Sequence, residues 1–283
     1  MTLKFIKVHG LGNDFLILDG VRETLELAAV ERAVPGLCDR HFGVGADGVL
    51  LLLPSETADF RMRLINADGS EAEMCGNGIR CFGKFIYDSG LSRESTLRIE
   101  TLAGLQILQL EAVANRVRSV RVDMGEPRLQ PDEIPTTLVG LDAPLEVDGA
   151  TYAATCVSMG NPHCVIFLDD VSDFPFKEIG PRVEFHVAFP RRTNVHFVQV
   201  LSRNEVKVNV WERGAGPTLA CGTGACAVLV AGALTNRLDR IATVYLPGGP
   251  LEIEWVCAPG RAEDNHVFMT GPAAIVYEGE IEM

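Results

Sequence analysis

Lysine is scarce in this chain of 283 residues: there are five, and the 25 basic side chains together face 38 acidic ones, for a formal charge of −13. That balance leaves no basic stripe for nucleic acid and no polybasic patch for an anionic membrane surface. It is compatible with a substrate that carries amino groups. Long apolar runs are missing too. None approaches the roughly 18 residues that a membrane span needs, and Met1-Thr2-Leu3-Lys4-Phe5-Ile6-Lys7 alternates where a signal peptide would be an apolar block. Export is not expected, and a cytoplasmic location is. Cys-x-x-Cys is also absent. The eight cysteines include pairs six apart (75 and 81) and five apart (221 and 226), spacings that suit neither a structural zinc site nor, without export, a disulfide framework. They are expected to be reduced thiols, with Cys38, Cys81, Cys156, Cys164, Cys226 and Cys257 in cores.

What remains is 47% hydrophobic and 22% charged, enough for one large or two medium domains. The chain repeats itself. Ile65 to Gly78, ending Met74-Cys75-Gly76-Asn77-Gly78, lies without a gap on Trp211 to Gly224, ending Ala220-Cys221-Gly222-Thr223-Gly224, at a shift of 146 positions. Each segment follows an alternating, strand-like stretch (Phe60 to Leu64, Val206 to Val210) and precedes a helical one (Ile79 to Tyr87, Ala225 to Leu234). The same shift places Gly48-Val49-Leu50-Leu51 on Asn194-Val195-His196-Phe197. A shift two residues larger places Val8 to Phe15 on Cys156 to His163, each a strand, a Gly-Asn turn and a strand. Four signals in one order predict two homologous α+β units, residues 1–119 with 267–283 and residues 120–266. Each unit is expected to be a mixed, mostly antiparallel sheet around a central helix that begins at Cys-Gly-x-Gly. The strand-like tail from Val267 to Ile281 is assigned to the first unit.

Cys75 and Cys221 therefore stand where a loop enters a helix. Unpaired N–H groups and the helix dipole favour an anion there, which predicts thiol pKa values lowered toward neutrality. Gly76, Gly78, Gly222 and Gly224 let backbone approach a ligand, and their N–H groups can hold a carboxylate. Two such helix ends facing each other would put a thiolate and a thiol on opposite sides of one carbon, so that one removes a proton while the other delivers one. The helix N-termini would stabilise the charge developing on the carboxylate. This chemistry needs no metal and no pyridoxal phosphate, and no lysine stands out as a Schiff-base former.

These residues, together with Lys7 to Phe15, Asn66-Ala67-Asp68-Gly69-Ser70, Ile79-Arg80-Cys81, Gly160-Asn161-Pro162-His163 and Trp211-Glu212-Arg213-Gly214, resemble the diaminopimelate epimerase family along nearly the whole chain. The resemblance implies cofactor-independent interconversion of LL- and meso-2,6-diaminopimelate, on the route to lysine. It implies an α/β fold of two pseudo-symmetric domains with the substrate in the cleft between them, and a homodimer. By the same match Cys75 and Cys221 are the catalytic thiols. Asn13, Asn66, Asn161, Asn194, Glu212 and Arg213 bind substrate, Gly76-Asn77 and Gly222-Thr223 hold the reacting carboxylate end, and His163 and Glu212 tune the thiols. Where the first repeat has Asn66-Ala67 the second has Glu212-Arg213, a carboxylate and a guanidinium suited to a distal ammonium and carboxylate. Some family members carry Gln at the position of Gly48, so no side-chain contact is assigned there.

Two other readings share these residues. A two-thiol racemase of proline, hydroxyproline or histidine would usually have His where this chain has Asn77, and would leave Glu212-Arg213 without a purpose. A thiol redox sensor would use a reversible Cys75–Cys221 disulfide without catalysis. Gly43-Val44-Gly45-Ala46-Asp47-Gly48 matches a dinucleotide-binding fingerprint, but a buried strand and not a helix follows it, so no nicotinamide cofactor is expected. His9, His41, His186, His196 and His266 are scattered singly and are read as structural. Pro127 to Gly149 reads as an extended surface excursion without a motif.

Overall fold

The structure is a computed structural model that describes residues 2–261 and 264–282. The chain divides into two units, Met1–Val122 with Gly271–Met283, and Asp123–Thr270. The boundaries fall at 122/123 and 270/271, a few residues beyond the 119/120 and 266/267 expected. In chain order the elements are β1 (Thr2–Gly10), β2 (Asn13–Asp19), α1 (Leu27–Cys38), β3 (Gly48–Leu53), β4 (Phe60–Asn66), β5 (Glu71–Ala72), α2 (Gly76–Asp88), β6 (Thr96–Thr101), β7 (Gly104–Val113) and β8 (Arg116–Asp123). Then follow β9 (Ala143–Val147), β10 (Ala150–Ser158), β11 (Pro162–Leu168), α3 (Phe176–Glu184), β12 (Asn194–Ser202), β13 (Glu205–Glu212), β14 (Gly216–Pro217), α4 (Gly222–Leu234), β15 (Ile241–Leu246), β16 (Gly249–Trp255), β17 (Val267–Gly271) and β18 (Ala274–Glu282).

Both units have one topology. The first sheet runs β18-β1-β2-β3-β4-β6-β7-β8 with β5 clipped to β4. The second runs β9-β10-β11-β12-β13-β15-β16-β17 with β14 clipped to β13. Among the described residues, the parallel pairs are β2–β3 and β4–β6 in the first and β11–β12 and β13–β15 in the second. A parallel pair needs a crossover, and each of the four helices among the described residues lies in one. The sheet is thus mixed and mostly antiparallel, as the alternating strands predict. The tail behaves in two parts: β17 pairs with β16 of the second unit, and β18 pairs with β1 of the first.

Strands buried on both faces read as continuous apolar runs, and Val49-Leu50-Leu51-Leu52 and Phe15-Leu16-Ile17-Leu18 are of this kind. Leu16, Leu18, Val49 and Leu51 pack with Val30, Val34 and Leu37 of α1, while Leu50 and Phe15 reach Gly78 of α2 from the other face. Helix α2 touches β18, β1, β2, β3, β4 and β7. Strands from both ends of the order meet one helix, so the sheet curls around it. Helix α4 is apolar all round and buried from Ala225 to Ala231, the signature of a helix enclosed by its partners. Each fully buried large aliphatic side chain in these layers contributes roughly 1.5–3 kcal/mol.

The central helices also stop alike. Gly90 (φ 77) and Asn236 (φ 58) take the left-handed conformation just past α2 and α4. Gly and Asn are the residues that tolerate it at a helix end, and the two positions are again 146 apart.

The stretch from Pro127 to Gly149 is not only an excursion: β9 within it is the edge strand of the second sheet, with Leu145 and Val147 packed in the core alongside Leu138. It fills the place that the C-terminal β18 takes in the first unit, so that the strand order is conserved while the chain order is not. The short alternation Ala143-Pro144-Leu145-Glu146-Val147 is obscured in the sequence by the prolines before it, at 131 and 135, and by Pro144 within it. Cys257 is exposed and Cys156 half-buried, so the core expectation holds only for Cys38, Cys81, Cys164 and Cys226. Cys156 stands directly opposite Cys164 across β10 and β11.

Candidate active site

The topology gathers the expected site residues at one end of each sheet. Asn13 opens β2, Gly48 opens β3 and is paired with Asn66 at the close of β4, and Cys75 caps the helix that follows. In the second unit Asn161 precedes β11, Asn194 opens β12 opposite His163, Glu212 closes β13, and Cys221 caps α4. Gly43 to Gly48 leads into β3, a strand, and the fingerprint it imitates is absent in context.

Around Cys75 the hydrogen bonds form a directed chain. Arg80, fully buried in α2, donates to Asn77 Oδ1 at 2.9 Å, to the Gly76 carbonyl at 2.9 Å and to the Pro272 carbonyl at 3.4 Å. Asn77 Nδ2 donates to Asn13 Oδ1 at 3.2 Å, and the Cys75 thiol donates to the same oxygen at 3.6 Å. Asn13 Nδ2 donates to Asp47 at 2.6 Å, and Arg40 holds Asp47 from the other side at 2.8 Å. The Gly78 N–H donates to Cys75 Sγ at 3.5 Å, as the first turn of a helix does to a capping acceptor. Beneath lies an ion cluster of Lys7, Asp14 and Arg40. Burial works to raise the Asp14 carboxyl, but hydrogen bonds and charge from Arg40 and Lys7 outweigh it and hold the group below its usual range. Asn66 lies at the strand end with its amide on Ser70 Oγ at 3.0 Å, outside this chain of bonds.

Around Cys221 the arrangement differs. The sulfur lies 3.6 Å from Thr223 Oγ1 and faces the N–H of Gly224. Burial, followed by the negative charge of Glu212, pushes its thiol well above the ordinary range. This overturns the expectation of a lowered pKa at Cys221: the residue is 5% exposed, and desolvation of a thiolate outweighs the helix N-terminus. Glu212 accepts from Thr218 Oγ1. Asn194 spends both ends of its amide on backbone, donating to the Pro162 carbonyl at 2.8 Å and accepting from the Arg213 N–H at 2.9 Å. It thereby sets the strand end from which Glu212 and Arg213 project. The Arg213 guanidinium reaches the Arg191 carbonyl at 3.2 Å.

His163 is wholly buried, with Nε2 2.9 Å from Asn161 Oδ1 and Nδ1 2.9 Å from His196 Nε2. Burial drives both imidazoles to the neutral form, His163 well below its usual range and His196 to about 3. His196 is therefore not a scattered histidine. It shares a strand face with Asn194, two residues before it, and its ring fits against Gly224, where a Cβ would come within 2.2 Å of it.

Sequence reasoning also passed over Arg80 and Asp47. A charged residue inside the apolar run Ile79-Arg80-Cys81-Phe82, three and four positions from Asn77 and Gly76, was a readable sign of a buried polar task. Asp47 carried no such sign, because its reach to Asn13 depends on how β2 and β3 pair. A separate hollow of about 350 Å³ on the first unit, lined by Lys4, Asp19, Arg22, Glu23, Ser89 and Glu280 among others, includes none of the expected site residues.

Residues 5–130 and 155–276 match the family model described as Diaminopimelate epimerase. The chain is 53% identical to the diaminopimelate epimerase of Moorella thermoacetica over 286 aligned positions, covering 99% of this chain and 100% of the relative. It is 54% identical to diaminopimelate epimerase 1 of a Nostoc species, again over 99% and 100% of the two chains. Among solved structures it resembles a Bacillus anthracis phenazine biosynthesis protein of the PhzF family, with a TM-score of 0.75 over the full length of both chains at 18% identity, a likeness of fold alone. With a duplicated fold, a cysteine capping each central helix and half of its residues shared with these relatives from end to end, this chain belongs to the diaminopimelate epimerase family.

Proposed function

We propose that the protein is an isomerase that interconverts LL- and meso-2,6-diaminopimelate without a cofactor, using Cys75 and Cys221 as its acid and base. Identity of half or more over the whole length to proteins that bear that name is the observation that carries the substrate. The asymmetry at Glu212-Arg213 supports it, since a second amino-acid group on the substrate needs an ammonium partner and a carboxylate clamp.

The chemistry follows from the two caps. The reaction requires the thiols on opposite faces of one α-carbon. Cys75, donating to Asn13 Oδ1, is held in its acid form and delivers the proton. Cys221, once ionised, removes the proton on the other side. A thiol whose pKa is raised is rarer as thiolate but more basic, which suits a weak carbon acid. N–H groups of Gly76-Asn77 and Gly222-Thr223 hold the α-carboxylate and stabilise the charge that spreads into it. Asn13, Asn66, Asn161, Asn194, Glu212 and Arg213 bind the remainder of the substrate, and His163 and Glu212 set the protonation of the thiols. A homodimer in the cytoplasm goes with this reading, and sedimentation and cell fractionation test it.

The deciding experiment is proton exchange in deuterated water. LL-Diaminopimelate is expected to gain deuterium at one α-carbon and to yield the meso isomer, while proline and histidine stay unlabelled. Label in proline but not in diaminopimelate would move the substrate to the racemase reading. Full epimerisation by both Cys75→Ala and Cys221→Ala variants under reducing conditions would favour a thiol sensor.

A further inference from the structure

Three soft or borderline donors converge beside the second helix cap. One donor atom each from His163, His196 and Cys221 lie within 4.8 Å of one another, and all three residues are buried. Among the described residues no other group of His, Cys, Asp and Glu does this. The space they share has an identifiable origin. A Cβ on Gly224 would lie 2.7 Å from His196 Nε2 and 3.0 Å from Cys221 Sγ, so the missing side chain leaves room between imidazole and sulfur.

We propose that His163 Nδ1, His196 Nε2 and Cys221 Sγ form a binding site for a soft divalent cation, Zn²⁺ foremost, and that its occupation silences Cys221. Zinc accepts imidazole nitrogen at about 2.0–2.1 Å and thiolate at about 2.3 Å, with donor atoms roughly 3.3–3.6 Å apart in a tetrahedron. The two nitrogens, now 2.9 Å apart, need only a slight opening to reach that spacing. His163 already has the outer bond typical of a metal-bound histidine, its far nitrogen on Asn161 Oδ1. Cys221 alone among the three keeps a trace of solvent contact, so a cation reaches the imidazoles past the sulfur.

Binding breaks the S–H bond and forms the S–Zn bond, and the thiol proton leaves to solvent. The thiolate and the carboxylate of Glu212 together balance the two positive charges. One feature limits the affinity. Ligation through Nε2 shifts the His196 proton to Nδ1, a buried atom without a hydrogen-bond partner. That cost makes the site reversible. Binding does not depend on the proposed epimerisation, whereas the silencing rests on it.

The test uses the full chain under a phosphine reductant, with Co²⁺ as the spectroscopic probe and Zn²⁺ as the inhibitor. One Co²⁺ per chain is expected, with a thiolate-to-cobalt charge-transfer band that Cys221→Ser abolishes and Cys75→Ser retains. His196→Gln is expected to weaken binding at least tenfold, with Gly224→Ala as the second variant should the first not fold. Zn²⁺ should displace Co²⁺ and stop α-deuterium exchange, and a chelator should restore it. A band lost in Cys75→Ser and kept in Cys221→Ser would overturn the site, as would no band in the unaltered protein or undiminished binding by His196→Gln. A cobalt site that behaves as described in a protein with no exchange on any amino acid leaves the site standing and removes the functional reading instead.

Discussion

Asn13 accepts the Cys75 thiol through Oδ1 at 3.6 Å, and groups that can play only one role fix the direction of that bond. Asp47, a carboxylate, can only accept, so it takes Nδ2 of Asn13 and turns Oδ1 toward the sulfur. Arg80 can only donate, so it takes Oδ1 of Asn77 and turns Nδ2 toward Asn13. With both amides committed, the oxygen of Asn13 is the atom turned toward the sulfur, an acceptor for its S–H.

Asp47→Asn removes the commitment at one end, because an amide can satisfy Asn13 in either orientation. The variant is expected to lower kcat about tenfold to a hundredfold, the scale of a small misplacement at a reacting group, with a smaller change in KM. Steady-state kinetics in both reaction directions measure it. An unchanged kcat in a folded variant would show that the amide direction has no bearing on proton delivery.

Gly224→Ala tests the packing of the second cap. The added methyl would come 2.2 Å from His196 Cε1, and the ring is walled in by His163 and by α4. Overpacking of this kind costs about 1–3 kcal/mol. Urea unfolding should show a lower midpoint at an unchanged slope. A midpoint equal to that of the unaltered protein would mean that His196 moves aside freely.

The buried imidazoles predict loss of stability in weak acid. Their folded pKa values lie below the ordinary 6.5, that of His196 at about 3. Between those limits the unfolded chain binds protons that the folded chain refuses, so stability falls as pH drops below about 6.5, by up to roughly 1.4 kcal/mol per pH unit for each histidine. Asp14 adds to the loss only nearer pH 4, where its unfolded carboxyl begins to protonate. Unfolding free energies at pH 7.0 and 5.0 (about one and a half units into the window) isolate the histidines. His196→Gln should flatten the dependence, and a flat profile in the unaltered protein would contradict the burial argument.

The sequence exposed the duplication because its signals are local. Cys75 and Cys221, their glycines and the strand patterns before them recur at one offset, and a helix cap or an alternating strand needs no tertiary information to be seen. What escaped depends on pairing. His196 became part of the site through the parallel register of β11 and β12, which sets His163 against Asn194 and so brings the next residue on that face beside its ring. Asp47 reaches Asn13 through the pairing of β2 with β3. The raised pKa of Cys221 is not legible because the helix end is local, whereas the burial that outweighs it belongs to the folded unit.

Glu212 offers a direct way to measure that burial and its companion charge. Its carboxylate adds to desolvation in raising the Cys221 thiol. Glu212→Gln keeps an acceptor for Thr218 and removes the charge. In the variant the thiolate should therefore appear at lower pH. The ultraviolet absorbance of thiolate, followed in a Cys75→Ser background to leave Cys221 as the reporting cap, should show its midpoint moved down relative to the same background with Glu212 intact. The sign has a kinetic counterpart. A thiolate that forms more readily is a weaker base, so Glu212→Gln with Cys75 present should shift the rising limb of the pH–rate profile to lower pH while reducing the plateau rate. A midpoint that moves upward would show that Glu212 assists ionisation of Cys221 by taking its proton, the opposite of an opposing charge.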